Sequence, residues 1–221
     1  LSRGMIVSKI FFDLDGTIIN SQERLYRLFC ELCLENTFTY EEYWDIKRTH
    51  IVQKEFLKTY FNYSDERITE FNKAYLKRVE EDDLMAMDRP VEGIEDILRL
   101  LRQKHMLYVV TNRQEYEKTV QELVRFGWRD IFEDIWVTEQ KVTKTELIAR
   151  HIAVSPEDIF VSDTGEDIKI AQQLGMRSAA VTWGVLNKEV LSCYQPDMIF
   201  EDVVDLRKLG ISCADRYHFY I

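Results

Sequence analysis

Short apolar runs recur along the chain and are separated by segments in which apolar residues return every three or four positions. The first run, Ile10 to Phe12, contains β-branched and aromatic residues and predicts a buried strand. Later runs that predict strands are Met106 to Thr111, Ile135 to Thr138, Ile159 to Ser162, Ser178 to Val181 and Met198 to Phe200. Segments with helical spacing lie between them, and such alternation favours a parallel sheet covered by helices on both faces.

One long segment interrupts this alternation directly after the first strand. From about Ser21 to Asp83 the pattern is helical almost throughout, which predicts a block of several short helices. We therefore expect an α/β core formed by residues 1–17 and 88–221 and an inserted helical domain at 18–87. An insertion after the first strand lies at the carboxyl edge of the sheet, where ligands bind in open α/β folds, so the inserted helices are placed like a lid.

Composition and charge narrow the classes of partner. The 221 residues are 46% hydrophobic and 31% charged, which is typical of an ordered globular protein, and the formal net charge of −10 disfavours nucleic acid and anionic membranes. Apolar runs are far shorter than the roughly 20 residues of a membrane span, and no secretory signal is evident. Four cysteines do not suggest a disulfide framework. We expect a cytoplasmic protein, a monomer or weak homodimer.

Carboxylates follow two of the predicted strands. Asp13 and Asp15 come after the first strand, and Asp163 and Asp167 come after "IFVS". Each aspartate alone is explained by a turn or a helix cap, but strand ends in a parallel sheet meet at one edge. Four carboxylates at one edge would repel one another unless a cation lay among them, and oxygen ligands of this kind favour Mg²⁺.

A carboxylate beside Mg²⁺ can attack phosphorus because the metal screens the repulsion between the two anions. Asp13 is the candidate nucleophile, and Asp15 is close enough to protonate the leaving alcohol and later to activate water. Lys144, Thr111 and the amides near Asn112 could surround the phosphoryl oxygens with positive charge and hydrogen-bond donors.

The motifs "DLDGT", "VVTN", Lys144 and "SDTGED" resemble, in order and spacing, those of the haloacid dehalogenase superfamily of phosphatases. The resemblance implies a Rossmann-like core in which Asp13 is phosphorylated and Asp15 is the acid and base. It also implies that Mg²⁺ is held by Asp13, Asp163 and the main-chain carbonyl of Asp15, with Asp167 supporting the metal or the lysine. Thr111 and Asn112 would bind the phosphoryl group, and Lys144 would stabilise its charge.

The helical insertion resembles the C1 cap of the subgroup that contains phosphoglycolate phosphatase and β-phosphoglucomutase. Two positions depart from the family pattern, since Ser162 replaces a usual glycine and Thr145 a frequent proline. Lys141 competes with Lys144 for the role of the conserved lysine, although "KTELI" favours Lys144 because it opens a helix. In the insertion, the basic stretch "IKRTHI" makes Arg48, with Lys47 and His50, the candidate reader of the substrate.

The sequence thus predicts a Mg²⁺-dependent phosphatase that hydrolyses a small phosphorylated metabolite through phospho-Asp13. A phosphomutase remains an alternative because it uses the same carboxylates. A catalytically silent binding or regulatory protein on the same fold is the other alternative, and it is disfavoured because Asp13, Asp15, Lys144 and Asp163 are all retained.

Overall fold

A six-stranded sheet is the centre of the chain in a computed structural model that describes residues 8–210. Its strands are β1 (Lys9–Phe12), β4 (Met106–Thr111), β5 (Asp134–Val137), β6 (Ile159–Ser162), β7 (Arg177–Val181) and β8 (Met198–Phe200). Their order in the sheet is β5-β4-β1-β6-β7-β8, and every neighbouring pair is parallel. The predicted α/β fold is confirmed. Residues 1–7 and 211–221 of the predicted core lie outside the described range.

Helices cover both faces of this sheet. They are α6 (Ile94–Arg102), α7 (Tyr116–Arg125), α8 (Lys144–His151), α9 (Gly165–Leu174) and α10 (Lys188–Cys193), followed by a 3₁₀ helix at Val203–Gly210. Side chains of β1 alternate between the two faces. Ile10 and Phe12 pack in the larger apolar cluster with α6 and α7, whereas Phe11 packs on the other face with α8 and α9. Both faces of β1 are therefore buried in the core.

Five helices form the insertion: α1 (Gln22–Leu32), α2 (Tyr40–Lys47), α3 (Gln53–Phe61), α4 (Asp65–Arg78) and α5 (Asp82–Met85). They have an apolar core of their own, which is rich in aromatic rings around Phe29, Tyr43 and Phe56. Pairs of these rings lie 4.8 to 5.6 Å apart between centroids. The helical block therefore buries its own apolar face, as the helical pattern indicates.

The chain enters and leaves the helical block through a short antiparallel pair that the sequence did not predict. Strand β2 (Ile19–Asn20) pairs with β3 (Arg89–Pro90), and the amide of Val91 donates to the carbonyl of Ile18 at 3.0 Å. Two residues per strand are too few for an alternating pattern to be visible in the sequence. Within residues 8–210, no helix has both the length and the apolar character needed to cross a membrane.

Candidate active site

The predicted site residues lie at the carboxyl ends of three neighbouring strands. Phe12 of β1 is in register with Val109 of β4 and Val161 of β6. Asp13, Thr111 and Asp163 therefore follow or end adjacent strands at one edge of the sheet. The amide of Asp13 donates to the carbonyl of Val161 at 3.0 Å, which continues the pairing of the first strand up to the site.

Asp163 is completely buried beside the loop that follows β1. Its Oδ1 accepts a hydrogen bond from the Thr17 hydroxyl at 3.1 Å, and its Oδ2 accepts from the Val185 amide at 2.7 Å. A Cβ at Gly16 or Gly184 would collide with this carboxylate, so the two glycines provide the room for it, and Gly16 also has a φ of +82°. Burial is the main cause that raises the pKa of Asp163 to about 6.

Lys144 connects Asp13 to Asp167. A capping box formed by Thr143 and Glu146 begins helix α8 just before the lysine. The Lys144 Nζ lies 2.7 Å from Asp13 Oδ1 and 2.7 Å from Asp167 Oδ2, and its side chain is only 3% exposed. Burial lowers the pKa of Lys144, but the two carboxylates outweigh that effect and raise it above its usual value. The lysine is therefore charged.

Lys141 has a different environment from Lys144. Its side chain is 72% exposed, and its Nζ lies 3.2 Å from the carboxylate of Glu139 in the same loop. Of the two lysines considered from the sequence, Lys144 is the one in contact with Asp13.

Ser162 has a contact that a glycine at this position could not make. Its hydroxyl donates to Asp167 Oδ2 at 2.7 Å, the oxygen that also receives Lys144. Asp167 is 3% exposed and is thereby fixed against the lysine. The departure from the family pattern at this position thus adds a support for the Lys144–Asp167 pair.

Asp13 is buried among charges of both signs. Burial raises its pKa to about 7 despite the lowering effect of Lys144, and Asp167 and Asp163 raise it further. The carboxylate contacts Lys144 through Oδ1. Deprotonated Asp13 therefore depends on nearby positive charge.

Asp15 forms ion pairs with two arginines that the sequence pattern did not reveal. Arg113, which follows β4, donates through Nε and Nη2 to the two carboxylate oxygens at 2.8 and 2.9 Å. Arg24, from helix α1 of the insertion, donates to Oδ1. Burial raises the pKa of Asp15, but Arg113 and then Arg24 outweigh it and hold the pKa well below its usual range.

Two further acids complete this charged cluster. Asp88, directly after the insertion, lies 2.9 Å from Arg24 Nε and 3.2 Å from Arg113 Nη2. Glu122 of α7 pairs with Arg113 through Nη1. Asp88 is completely buried and both arginines are nearly so. Charged side chains from the insertion, from the segment directly after it and from the core therefore meet around the carboxylate of Asp15.

Two sequence signals could have identified these arginines. Arg24 lies four residues before Leu28, on the buried stripe of an amphipathic helix, where a charged residue needs a partner. Arg113 directly follows Thr111 and Asn112 at a strand end. Asp88 and Glu122 carry no local signal, because their pairing depends on how distant segments meet.

A cavity of about 260 Å³ lies in front of these residues. Asp13, Asp15, Thr111, Asn112 and Lys144 all line it, so the structure brings together most of the residues chosen from the sequence. Asp163 and Asp167 are not part of this lining. The insertion contributes Arg24, Leu25, Tyr75, Leu76, Val79 and Glu80 to the same lining.

Lys47, Arg48 and His50 are absent from the lining of this cavity. The Arg48 guanidinium donates to the carbonyl of Thr182, and its own carbonyl accepts from the Asn187 amide at 3.2 Å. Lys47 Nζ donates to the carbonyl of Ile51 at 3.3 Å and to Gln53 at 3.1 Å, and His50 faces Tyr194. The contacts of Arg48 and His50 favour a role in docking the insertion on the core, whereas those of Lys47 stay within the insertion. Substrate recognition by the loop remains a prediction.

The donor set at this edge fits the magnesium ion that the motifs imply. Within residues 8–210 no cluster of three His, Cys, Asp or Glu side chains forms a ready-made metal cage. Mg²⁺ does not require one, because it commonly uses one or two carboxylates together with waters and substrate phosphate. Asp13 and Asp163, whose pKa values are raised by burial, are two carboxylates that a cation would stabilise.

Comparisons with known proteins agree with this geometry. The chain is 27% identical over 220 residues to the pyrophosphatase PpaX of Bacillus cereus, covering 91% of this chain and 95% of that protein. A haloacid dehalogenase-like family hydrolase from Streptococcus pneumoniae superposes with a TM-score of 0.76 at 22% identity, covering 90% of this chain and 96% of that one. A predicted phosphoglycolate phosphatase from Haemophilus somnus gives a TM-score of 0.72 at 19% identity, covering 92% and 97%. The sequence model of the haloacid dehalogenase-like hydrolases matches residues 10–181, and the chain belongs to that family.

Proposed function

We propose that this hydrolase is a Mg²⁺-dependent phosphatase acting on a small phosphorylated metabolite through a phosphorylated Asp13. The observation that carries the proposal is the contact of Lys144 with Asp13 and Asp167 at the edge of the cavity. A buried, charged lysine in contact with one carboxylate oxygen of Asp13 leaves the other oxygen for attack on phosphorus. The names of the similar proteins, a pyrophosphatase and a predicted phosphoglycolate phosphatase, favour hydrolysis over a mutase reaction.

The reaction proceeds in two steps. In the first, a carboxylate oxygen of Asp13 bonds to phosphorus as the bond from phosphorus to the alcohol oxygen breaks, and Asp15 gives a proton to that oxygen. Because Arg113 and Arg24 lower the pKa of Asp15 in this structure, Asp15 carries that proton only after these contacts are released. In the second, a water oxygen bonds to phosphorus, Asp15 takes the proton of that water, and Asp13 is released as a carboxylate. Lys144, Thr111 and Asn112 hold the phosphoryl oxygens during both steps.

Asp13, Asp163 and the main-chain carbonyl of Asp15 are the groups that would hold Mg²⁺. Bound there, the ion would screen the charge of Asp13 from that of the phosphoryl group. Thr17 and the Val185 amide orient Asp163 for this task.

The test is hydrolysis of p-nitrophenyl phosphate with and without Mg²⁺, combined with mass spectrometry of the acid-quenched protein. We expect metal-dependent turnover and one phosphoryl group on the peptide that contains Asp13. Asp13→Asn should lose both results. The matched control is Asp45→Asn, at an exposed aspartate of helix α2, which should retain them. Turnover without labelling of that peptide would contradict the covalent step.

We further propose that residues 18–87 act as a cap that opens and closes over the cavity, with its hinges near 18–22 and 83–90. His50 of the insertion and Cys193 of the core line one cleft whose lining does not include Asp13. A short thiol cross-linker between His50→Cys and Cys193 should therefore slow turnover without entering the active-site cavity. Wild-type protein treated with the same reagent is the control, and full activity of the cross-linked variant would contradict gating.

A further inference from the structure

The active-site cavity is lined by the proposed catalytic residues of the core and by a largely apolar set of residues from the insertion. In that set, Leu25, Leu76 and Val79 form an apolar wall and accompany Tyr75, Arg24 and Glu80. A leaving group bound to the phosphoryl group would extend toward this wall. The space is about 260 Å³, which is small for a ligand cavity and favours a compact leaving group.

The cations that line the cavity are already paired with carboxylates. Lys144 contacts Asp13 and Asp167. Arg24 contacts Asp15 and Asp88, and Arg113 contacts these two acids and Glu122. Among the described residues, the cavity lining therefore offers no arginine or lysine that lacks an acidic partner for a second anionic group of a substrate.

Two additional acids lie in the lining. Glu80, which is 6% exposed, accepts hydrogen bonds from the amides of Gln114 and Glu115 at 2.7 and 3.1 Å, so its carboxylate is fixed in place. Glu166, in the first turn of α9, also lines the cavity. A carboxylate or second phosphate on the leaving group would be repelled by this negative charge. It would also lose hydration against the apolar wall without gaining a cation in return, which disfavours its binding.

Tyr75 offers the leaving group a neutral polar contact. Its hydroxyl has no hydrogen-bond partner among residues 8–210, although the ring lines the cavity near Asp15 and Arg24. Burial is the main cause that raises its pKa to about 12, so the hydroxyl keeps its proton at neutral pH. It can donate to an uncharged oxygen of a substrate.

We propose that the cavity selects the phosphate ester of a compact, uncharged alcohol and discriminates against leaving groups that carry a second anion. The apolar wall formed by Leu25, Leu76 and Val79 would contact the carbon skeleton, and the Tyr75 hydroxyl would bind a free hydroxyl of the alcohol. This inference rests on the proposed phosphatase function and names its substrate class. It differs from the activity in the name of the pyrophosphatase relative.

A matched pair of substrates tests the charge discrimination. Glycerol 3-phosphate and 3-phosphoglycerate share one carbon skeleton, but the second carries a carboxylate in place of a hydroxymethyl group. We expect kcat/KM for glycerol 3-phosphate to exceed that for 3-phosphoglycerate, and that for pyrophosphate, by at least about tenfold.

Two variants connect this preference to the cavity wall. Leu76→Lys adds a cation without an acidic partner and should shift the ratio of the two kcat/KM values toward 3-phosphoglycerate by about tenfold. The matched control is Leu100→Lys in helix α6, because Leu100 is 45% exposed, Leu76 is 46% exposed, and Leu100 does not line the cavity. Tyr75→Phe should lower kcat/KM for glycerol 3-phosphate by about fivefold and leave ethyl phosphate, which has no free hydroxyl, almost unaffected.

The outcomes separate this inference from the proposed function. Mg²⁺-dependent and Asp13-dependent activity that prefers 3-phosphoglycerate or pyrophosphate would overturn the inference and leave the phosphatase intact. Activity on p-nitrophenyl phosphate with none on glycerol 3-phosphate would also overturn it. Absence of Asp13-dependent hydrolysis of all these compounds would overturn both. Equal shifts in Leu76→Lys and Leu100→Lys would remove the assignment of selectivity to the apolar wall.

Discussion

Asp13 and Asp15 lie two residues apart in the loop after β1, and their carboxylates have opposite surroundings. Asp13 contacts one lysine and has Asp163 and Asp167 close by, and burial raises its pKa to about 7. Asp15 is held by two arginines that keep its pKa well below the usual range against the effect of burial. The difference shows that residue type and spacing do not determine the protonation of the two acids, because cations supplied by distant segments separate their pKa values. In this structure Asp15 is the acid that stays ionised, so its proposed role as proton donor requires the two arginines to move away from it, and the proposed role of Asp13 as nucleophile requires a cation beside it.

The largest effect is expected at Asp13. Asp13→Asn replaces the nucleophile with an amide and removes a charge that would hold Mg²⁺. The kcat for p-nitrophenyl phosphate should therefore fall by at least about a hundredfold. Steady-state kinetics and circular dichroism, as the check on folding, measure it. A folded variant that keeps more than about a hundredth of the activity would assign the nucleophile to another group.

Asp15→Asn should give a loss that depends on the leaving group. An alkyl alcohol needs a proton to depart and nitrophenolate does not, so alkyl phosphate hydrolysis should fall by about 10²–10⁴-fold and p-nitrophenyl phosphate hydrolysis by less. The ratio of the two kcat/KM values is the measurement. Equal losses on both substrates would mean that Asp15 does not protonate the leaving group.

Arg24→Met tests the arginine cluster around Asp15. The substitution keeps a long side chain but leaves completely buried Asp88 with Arg113 as its remaining partner, so the free energy of unfolding should fall by about 3 kcal/mol. Urea denaturation measures the change. Arg27→Met on the same helix, where the arginine is 59% exposed, is the control and should change stability by less than about 1 kcal/mol. Similar values for the two variants would remove the stabilising role of the cluster.

Ser162→Gly restores the residue usual in the family and has the smallest expected effect. It removes the hydrogen bond to Asp167 Oδ2, a bond to a charged group worth about 1.5 kcal/mol, and should lower kcat/KM by roughly tenfold. Ser162→Ala is the companion variant, since it loses the same hydroxyl without adding glycine flexibility. If both variants match the wild type, Lys144 and Asp167 do not depend on Ser162 for their positions.

The sequence was sufficient to predict the elements whose pattern is local. The strand at Ile10 to Phe12, the alternating helices and strands after residue 105 and the helical block after Ser21 all follow from apolar spacing, and the structure confirms the α/β fold. The cluster at the sheet edge follows because parallel strands align their carboxyl ends. Arg24 and Asp88 could not be paired in advance, because 64 positions separate them and only the packing of the insertion on the core brings them together.

The paired strands β2 and β3 have a mechanical consequence. The two chain crossings between the helical block and the core are hydrogen-bonded side by side, with Ile19 opposite Pro90 and Asn20 opposite Arg89. Two independent tethers would let the block twist and slide, whereas a two-stranded ribbon bends easily in only one direction. Rotation of the helical block would then have essentially one degree of freedom, about an axis beside the loop that carries Asp15, so the same swing that uncovers the cavity would also pull Arg24 away from that carboxylate.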